Sequence, residues 1–364
     1  MARKGEARSE AHRLMAAFRA AGAIEVETDI LQPAEVLLDL YGEDIRARAY
    51  VTADPVRGEM MLRPDFTVPV VQMHMADGAE PARYCYAGEV FRKQEHPGTR
   101  KSEYVQVGYE VFDRDNPAAA DAEVFALFAG LLAPLRLRAV TGDIAILMAA
   151  VRGLRTLDSR KAALMRHIWR PRRFTALLDR FGGRAPVPAS RARLLAGLAA
   201  GEIPAEAPQI GLRGPDEIAA RLAALQEDAA APPISAEEVA RLDALLNLSA
   251  DSLAALARLR ELARDMPAIA RATDRMEARL EALAARGIAV EALAFEASHG
   301  RTTLEYYDGF VFSFHAADPA LPPVASGGRY DALTAVLGQG RSIPAVGGVI
   351  RPGLLADLGK VPSC

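Results

Sequence analysis

Glu89-Val-Phe-Arg-Lys-Gln94, followed by Gly98-Thr-Arg-Lys-Ser-Glu-Tyr-Val-Gln-Val-Gly-Tyr-Glu110, reads as two strands joined by a basic loop. Period-two alternation along the second strand places Tyr104, Gln106, Gly108 and Glu110 on one face, and Glu103, Val105, Val107, Tyr109 and Val111 on the other. Gln106 and Glu110 therefore flank a position with no side chain. About 14 Å of strand separates them at roughly 3.4 Å per residue, room for an amino-acid-sized ligand. Arg92, Lys93, Arg100 and Lys101 make the loop cationic. A cationic loop beside an anionic notch suits a ligand with a carboxylate or phosphate at one end and an amine at the other.

Working outward, residues 6 to 21 read as a helix with Leu14 and Phe18 at i, i+4 spacing, stopped by Gly22. Ile24 to Thr28 alternates like a strand and leads into Leu31-Gln-Pro-Ala-Glu35. Further strands are predicted around 46 to 53, 59 to 62, 83 to 93 and 102 to 112, with Pro55, Asp77-Gly78 and Pro97-Gly98 as turn signals. From about 118 to 292 the pattern is helical, and Ser235-Ala-Glu-Glu238 is a capping-box sequence ahead of Val239, Leu242 and Leu246. Strand character returns at 302 to 315. There Leu304, Tyr306, Phe310, Phe312 and Phe314 are expected on a core face, and Glu305, Tyr307, Gly309, Val311 and Ser313 on the other. The expected fold is α+β: a core from residues 1–150 and 291–364, with an antiparallel sheet flanked by helices, interrupted by a helical insertion at 151–290.

At 364 residues, 51% hydrophobic and 25% charged, the composition is that of a globular protein. No uninterrupted apolar run reaches bilayer length and the N-terminus lacks a signal-peptide core, so a cytoplasmic protein without a membrane partner is expected. Cys85 and Cys364 form no disulfide framework, and the six histidines show no metal-ligand spacing. No metal and no cofactor are expected. The net charge of −3 argues against a dominant nucleic-acid surface. Its distribution is uneven: residues 151 to 200 carry 12 basic residues against two acidic, and 201 to 300 carry 10 against 17. Solvated faces of opposite sign, or faces that meet each other or a partner, account for this. A polyanion site around Arg166-His-Ile-Trp-Arg-Pro-Arg-Arg173 is the minority reading.

A buried amino acid needs acceptors for its ammonium and a cation for its carboxylate, because an unpaired buried charge costs several kcal/mol. Asp65, Thr67, Gln106 and Glu110 supply acceptors and Arg92 supplies the cation.

Phe91-Arg92, Arg100, and Gln106 with Glu110 resemble the second signature motif of class II aminoacyl-tRNA synthetases, most closely the histidyl-tRNA synthetases. Leu62-Arg-Pro-Asp-Phe-Thr67, Leu304-Glu-Tyr-Tyr307 and Gly327-Gly-Arg-Tyr-Asp331 resemble further segments of that family, in its order. The strand and proline of Leu31-Gln-Pro resemble the first class II motif, which serves dimer contacts. The resemblance implies a class II synthetase-like core and a histidine pocket: Asp65, Thr67 and Gln106 at the amino group, Glu110, Tyr306 and Tyr307 around the imidazole, and Arg92 with Arg100 as anion-binding loop residues. The candidate ligand is L-histidine.

The departures point away from catalysis. Adenylation builds negative charge that positioned cations must stabilise. Thr302 stands where the synthetase segment has arginine, and Leu354 of Arg351-Pro-Gly-Leu354 stands where the third motif has its ATP-gripping arginine. Gln94 replaces a motif-2 glutamate, and the chain stops about ten residues after the third motif, where an anticodon-binding domain is expected in a synthetase. These features are similar to the histidyl-tRNA-synthetase-like regulatory subunits of ATP phosphoribosyltransferase. That resemblance implies no adenylation activity, a homodimer core within a hetero-octamer with a short-form catalytic subunit, and a part in histidine feedback on histidine biosynthesis. The alternatives are a truncated histidyl-tRNA synthetase and an RNA-binding paralogue.

Overall fold

The computed structural model describes residues 4–35, 49–94, 101–201, 214–301 and 306–359. Arg100 and Thr302, with His96, Leu304 and Glu305, lie outside the described residues. The chain opens with α1 (Lys4–Ala20), whose Ala7, Ala11, Leu14, Met15 and Phe18 share a buried stripe. Gly22, at φ +90°, takes the left-handed conformation that ends it. Then follow β1 (Ile24–Glu25), β2 (Leu31–Pro33), β3 (Val51–Asp54), β4 (Gly58–Leu62), α2 (Thr67–Asp77), β5 (Ala82–Phe91) and β6 (Glu103–Phe112). The strand expected over Ile24 to Thr28 pairs only at Ile24 and Glu25, because Thr28 turns away and its carbonyl accepts from the buried Arg63 guanidinium.

Next come α3 (Pro117–Leu132), β7 (Arg138–Asp143), α4 (Ile144–Arg152), α5 (Asp158–Arg166), α6 (Pro171–Phe181), α7 (Ala189–Ala199), α8 (Pro215–Ala230) and α9 (Ala236–Leu246). After them run β8 (Ser249–Asp251), α10 (Ser252–Asp265), α11 (Ala270–Ala284), β9 (Ala294–Glu296), β10 (Phe310–His315), β11 (Ala325–Arg329), α12 (Asp331–Leu337), β12 (Ala345–Ile350) and α13 (Pro352–Leu358). One nine-stranded sheet runs β1-β5-β6-β12-β11-β10-β7-β9-β8, antiparallel except at β1–β5 and β7–β9, and a small sheet runs β2-β4-β3. The α+β class expected from the sequence is the one observed. Within 151–290 the described chain is helical except for β8, which joins the edge of the main sheet through β9.

The capping box is present: Ser235 accepts from the Glu238 amide at 3.2 Å and opens α9. The opposite-sign segments meet within the chain. Arg155 pairs with Glu238, Arg184 with Asp243, and both Arg160 and Arg191 with Asp228.

One face of the sheet is the aromatic core. Phe310, Phe312 and Phe314 of β10 project there with Tyr109 of β6, against Phe18 of α1 and Phe125 and Phe128 of α3. Residues Pro117–Leu135 are long and apolar enough by composition to cross a bilayer. Their aromatic face is nevertheless packed on this sheet, and their Asp121 is buried between the Arg279 and Arg329 guanidiniums. The opposite sheet face carries the candidate site.

Candidate functional site

Register decides which residues face one another on the site side. Glu110 lies between Tyr84 on β5 and Gly347 on β12, while Gly108 pairs with Tyr86 and Gln106 with Gly88. Paired residues share a face, so the alternation read along β6 places Gln106, Gly108 and Glu110 together as expected.

The notch at Gly108 is filled. The Tyr86 ring folds across it so closely that a Cβ at position 108 would overlap the ring, and Tyr86 then stacks on Phe66 with centroids 4.4 Å apart. The 14 Å gap expected between Gln106 and Glu110 is therefore a tyrosine seat. A cross-strand partner can occupy a glycine position as readily as a ligand can. The space beside Gly309 is likewise occupied by the Arg329 stem, within about 3 Å of where a Cβ would stand.

Glu110 is 1% exposed and caged by hydroxyls. Its Oε1 accepts from Tyr86 at 2.7 Å and Thr67 at 3.1 Å, and its Oε2 accepts from Tyr330 at 2.6 Å. Gly347 floors the cage, because any side chain there would overlap the carboxylate. Tyr306 donates to Thr67 Oγ1 at 3.3 Å, and its ring meets Tyr307 edge-on at 4.8 Å. Tyr307 rests on Gly328. Burial, and then the neighbouring Glu110 charge, hold the Tyr86 and Tyr330 hydroxyls well above the ordinary tyrosine pKa, so both remain donors.

Burial pushes the Glu110 carboxyl up to about 7, outweighing the three hydroxyl donors, with Asp65 adding repulsion. The folded state then holds more protons at Glu110 than the unfolded state between pH about 4.5 and 7, so this group's contribution to stability falls as pH rises through that window. Urea unfolding at pH 5 and pH 8 should show a loss on the order of 3 kcal/mol attributable to Glu110. A Glu110→Gln variant should lack that component; an unchanged pH profile in the variant would refute it.

Asp65 and Thr67 stand at the entry to α2, 3% and 4% exposed. Arg92 follows β5; its Nε donates to the Pro64 carbonyl at 2.8 Å and its guanidinium lies 3.8 Å from Asp65 Oδ2. That cation thus faces the Asp65 end of the site. Gln106 is fully buried, and among the described residues neither its amide oxygen nor its amide nitrogen has a hydrogen-bond partner. The structure brings Asp65 and Arg92 together at one end, and Thr67, Glu110 and Tyr306 at the other, with Tyr307 against Tyr306. Tyr306 and Tyr307, expected within a strand, are in no strand. The chain turns at Asp308, whose carboxylate accepts from the Asp331 and Ala332 amides and caps α12, so β10 begins at Phe310 and Tyr306 joins the site instead of the phenylalanine core.

Leu354 is half-buried in the first turn of α13, which Pro352 opens at its N-terminal position, where a missing N–H costs nothing. Pro352-Gly353 thus starts this helix instead of interrupting it. The Arg351 guanidinium is bonded to the Pro323 carbonyl.

Sequence reasoning missed Tyr86, Tyr330 and Gly347. Tyr330 was inside a quoted motif, and Tyr86 was detectable as the bulky residue opposite a glycine once the hairpin register is drawn. Nothing in the sequence pairs Gly347 with Glu110, since they meet through a strand that returns more than 200 residues later. An open concavity of about 540 Å³ between α3, β7 and the segment that follows α11 is lined by Phe125, Leu132, Leu293 and Phe314 on the other sheet face, away from this chemistry.

The sequence profile described as histidyl-tRNA synthetase matches residues 3–230 and 217–352. An ATP phosphoribosyltransferase regulatory subunit of Brucella anthropi is 34% identical over 345 residues, covering 88% of this chain and 89% of that protein; the Brucella canis subunit matches equally. Among solved structures, one described as an ATP phosphoribosyltransferase regulatory subunit/histidyl-tRNA synthetase from Bacillus halodurans superposes with TM-score 0.69 at 22% identity, over 98% of this chain and 80% of that one. Histidyl-tRNA synthetase from Nostoc superposes with TM-score 0.63 at 17% identity, over 98% and 72%. The fold is thus that of the histidyl-tRNA synthetases, and with a relative one-third identical along nearly its whole length, the chain belongs to the family of ATP phosphoribosyltransferase regulatory subunits.

Proposed function

We propose that this regulatory subunit serves a short-form ATP phosphoribosyltransferase in the cytoplasm, as the homodimeric core of a hetero-octamer, and that it binds L-histidine at the Glu110 site and takes part in histidine feedback. The observation that supports the pocket is Gln106. A fully buried amide with neither donor nor acceptor matched costs about 1–3 kcal/mol per group, and a ligand carrying both an ammonium and a carboxylate offers partners for each atom. Arg92 and Asp65 add a cation and an anion on the adjoining wall, and the Glu110 cage offers an acceptor toward an imidazole N–H. Tyr86 seated over Gly108 closes that position to the ligand.

The test is a thermal melt with and without histidine. A ligand at a hundred times its Kd stabilises the folded state by about 2.7 kcal/mol, so millimolar histidine should raise the melting temperature of the wild type. Glu110→Ala and Tyr307→Ala should not respond. A wild type indifferent to millimolar histidine would refute the pocket.

A further inference from the structure

Among the described residues, the ion pairs between the basic 151–200 segment and the acidic 201–300 segment leave one group of surface arginines, Arg166, Arg172 and Arg173. It sits where α5 ends at Arg166 and α6 begins at Pro171. Arg166, Arg172 and Arg173 are exposed and form no ion pair among the described residues. Burial, and then the neighbouring Arg170, Arg173 and Arg166, disfavour the charged form of His167, and its Nδ1 is buried without a partner among the described residues. The first turn of α6 holds Arg172 and Arg173 and no acidic residue. This inverts the usual charge preference of a helix N-terminus, where the backbone amides already present positive potential. The apolar face of α6, Phe174, Leu178 and Phe181, is buried, so the orientation of the helix is set by packing and the arginines are held in place at a cost in repulsion.

A second observation lies beneath the same turn. Arg301, 4% exposed, donates from Nε to the Ile168 carbonyl at 2.8 Å and lies 4.8 Å from the centre of the Phe174 ring, while one of its terminal nitrogens has no partner among the described residues. The Trp169 indole N–H is buried and unmatched as well. A fourth guanidinium and an indole donor therefore underlie three surface arginines at one helix start. Surface arginines concentrated in this way at a helix start are the arrangement that recognises a phosphate group, whose oxygens match the guanidinium fork.

We propose that the α5–α6 turn binds a small phosphate-bearing anion, through Arg166, Arg172 and Arg173 with the amide end of α6. This site is separate from the histidine pocket and does not depend on it.

Calorimetric titration of the full chain with inorganic pyrophosphate tests the assignment. Wild type should bind at one site, more weakly as salt is raised, and an Arg166→Ala/Arg173→Ala variant should lose at least about tenfold in affinity, as expected when charge-assisted bonds are removed. Arg193→Ala, an exposed arginine of the neighbouring α7, should bind as wild type does. Because a bound anion favours the imidazolium, the His167 pKa followed by NMR should move upward on adding pyrophosphate. Absence of binding to wild type, equal binding to the double variant, or binding without movement at His167 would each overturn the proposal. So would tight binding of a short RNA hairpin by a chain that ignores pyrophosphate, which would make the cluster a nucleic-acid contact.

Discussion

A Gly347→Ala variant is expected to lose histidine-induced stabilisation altogether and to unfold about 1–3 kcal/mol more easily than wild type, the usual cost of overpacking. The added methyl would occupy the space of the Glu110 carboxylate and come within 2.9 Å of the Tyr109 carbonyl. Neither side can yield. β12 is clamped between β6 and β11 in the middle of the nine-stranded sheet, and the carboxylate is pinned by Tyr86, Thr67 and Tyr330. Expelling Glu110 would leave three hydroxyls without their acceptor. Chemical denaturation and thermal melts with and without histidine measure both effects, and a variant that still responds to histidine would show that Glu110 is not part of the site.

Asp121→Ala should be costlier, about 3–5 kcal/mol, the range for removing one partner of a buried ion pair. Asp121 accepts from Arg329 at 2.7 and 3.0 Å and lies 3.5 Å from Arg279, all three nearly inaccessible to solvent. Asp143 takes the other side of Arg279 at 2.9 Å, and Asp331 the other side of Arg329 at 3.0 Å. Burial opposes the charge of Arg329, yet Asp121 and Asp331 hold its pKa above the ordinary arginine value. The network ties α3 and α11 to the end of β11, whose next residue, Tyr330, donates to Glu110. Urea denaturation of Asp121→Ala measures the loss; a cost under about 1 kcal/mol would mean that Asp143 and Asp331 alone neutralise the two guanidiniums.

Local order in the sequence carried much of this structure. The β6 alternation, the Leu14–Phe18 stripe ended by Gly22, and the Ser235 capping box are interactions among residues a few positions apart, and each appears as read. The opposite charges of the two central segments also find each other. What escaped depends on register across the sheet. Gly108 reads as empty from its own strand and is full because Tyr86 is its neighbour. Tyr306 reads as a core strand residue, and becomes a site residue because the Asp308 carboxylate is committed to a helix start 23 residues later. Composition and periodicity do not report such distant commitments. Motif resemblance reached further, placing Thr67, Gln106 and Glu110 in one set, but it named neither Tyr86 nor Gly347.

The departures at Leu354 and Thr302 bear on chemistry that a regulatory subunit does not perform. If the ancestral pocket persists in this family as a sensor, its output must be read on another polypeptide. The most direct measurement is therefore to mix the chain with a short-form ATP phosphoribosyltransferase catalytic subunit and follow phosphoribosyl-ATP formation with and without histidine. The expected result is a catalytic subunit activated by the chain and inhibited by histidine only in the mixture, with no histidine-dependent ATP/pyrophosphate exchange by the chain alone. Unchanged transferase activity, together with robust exchange by the isolated chain, would contradict the account.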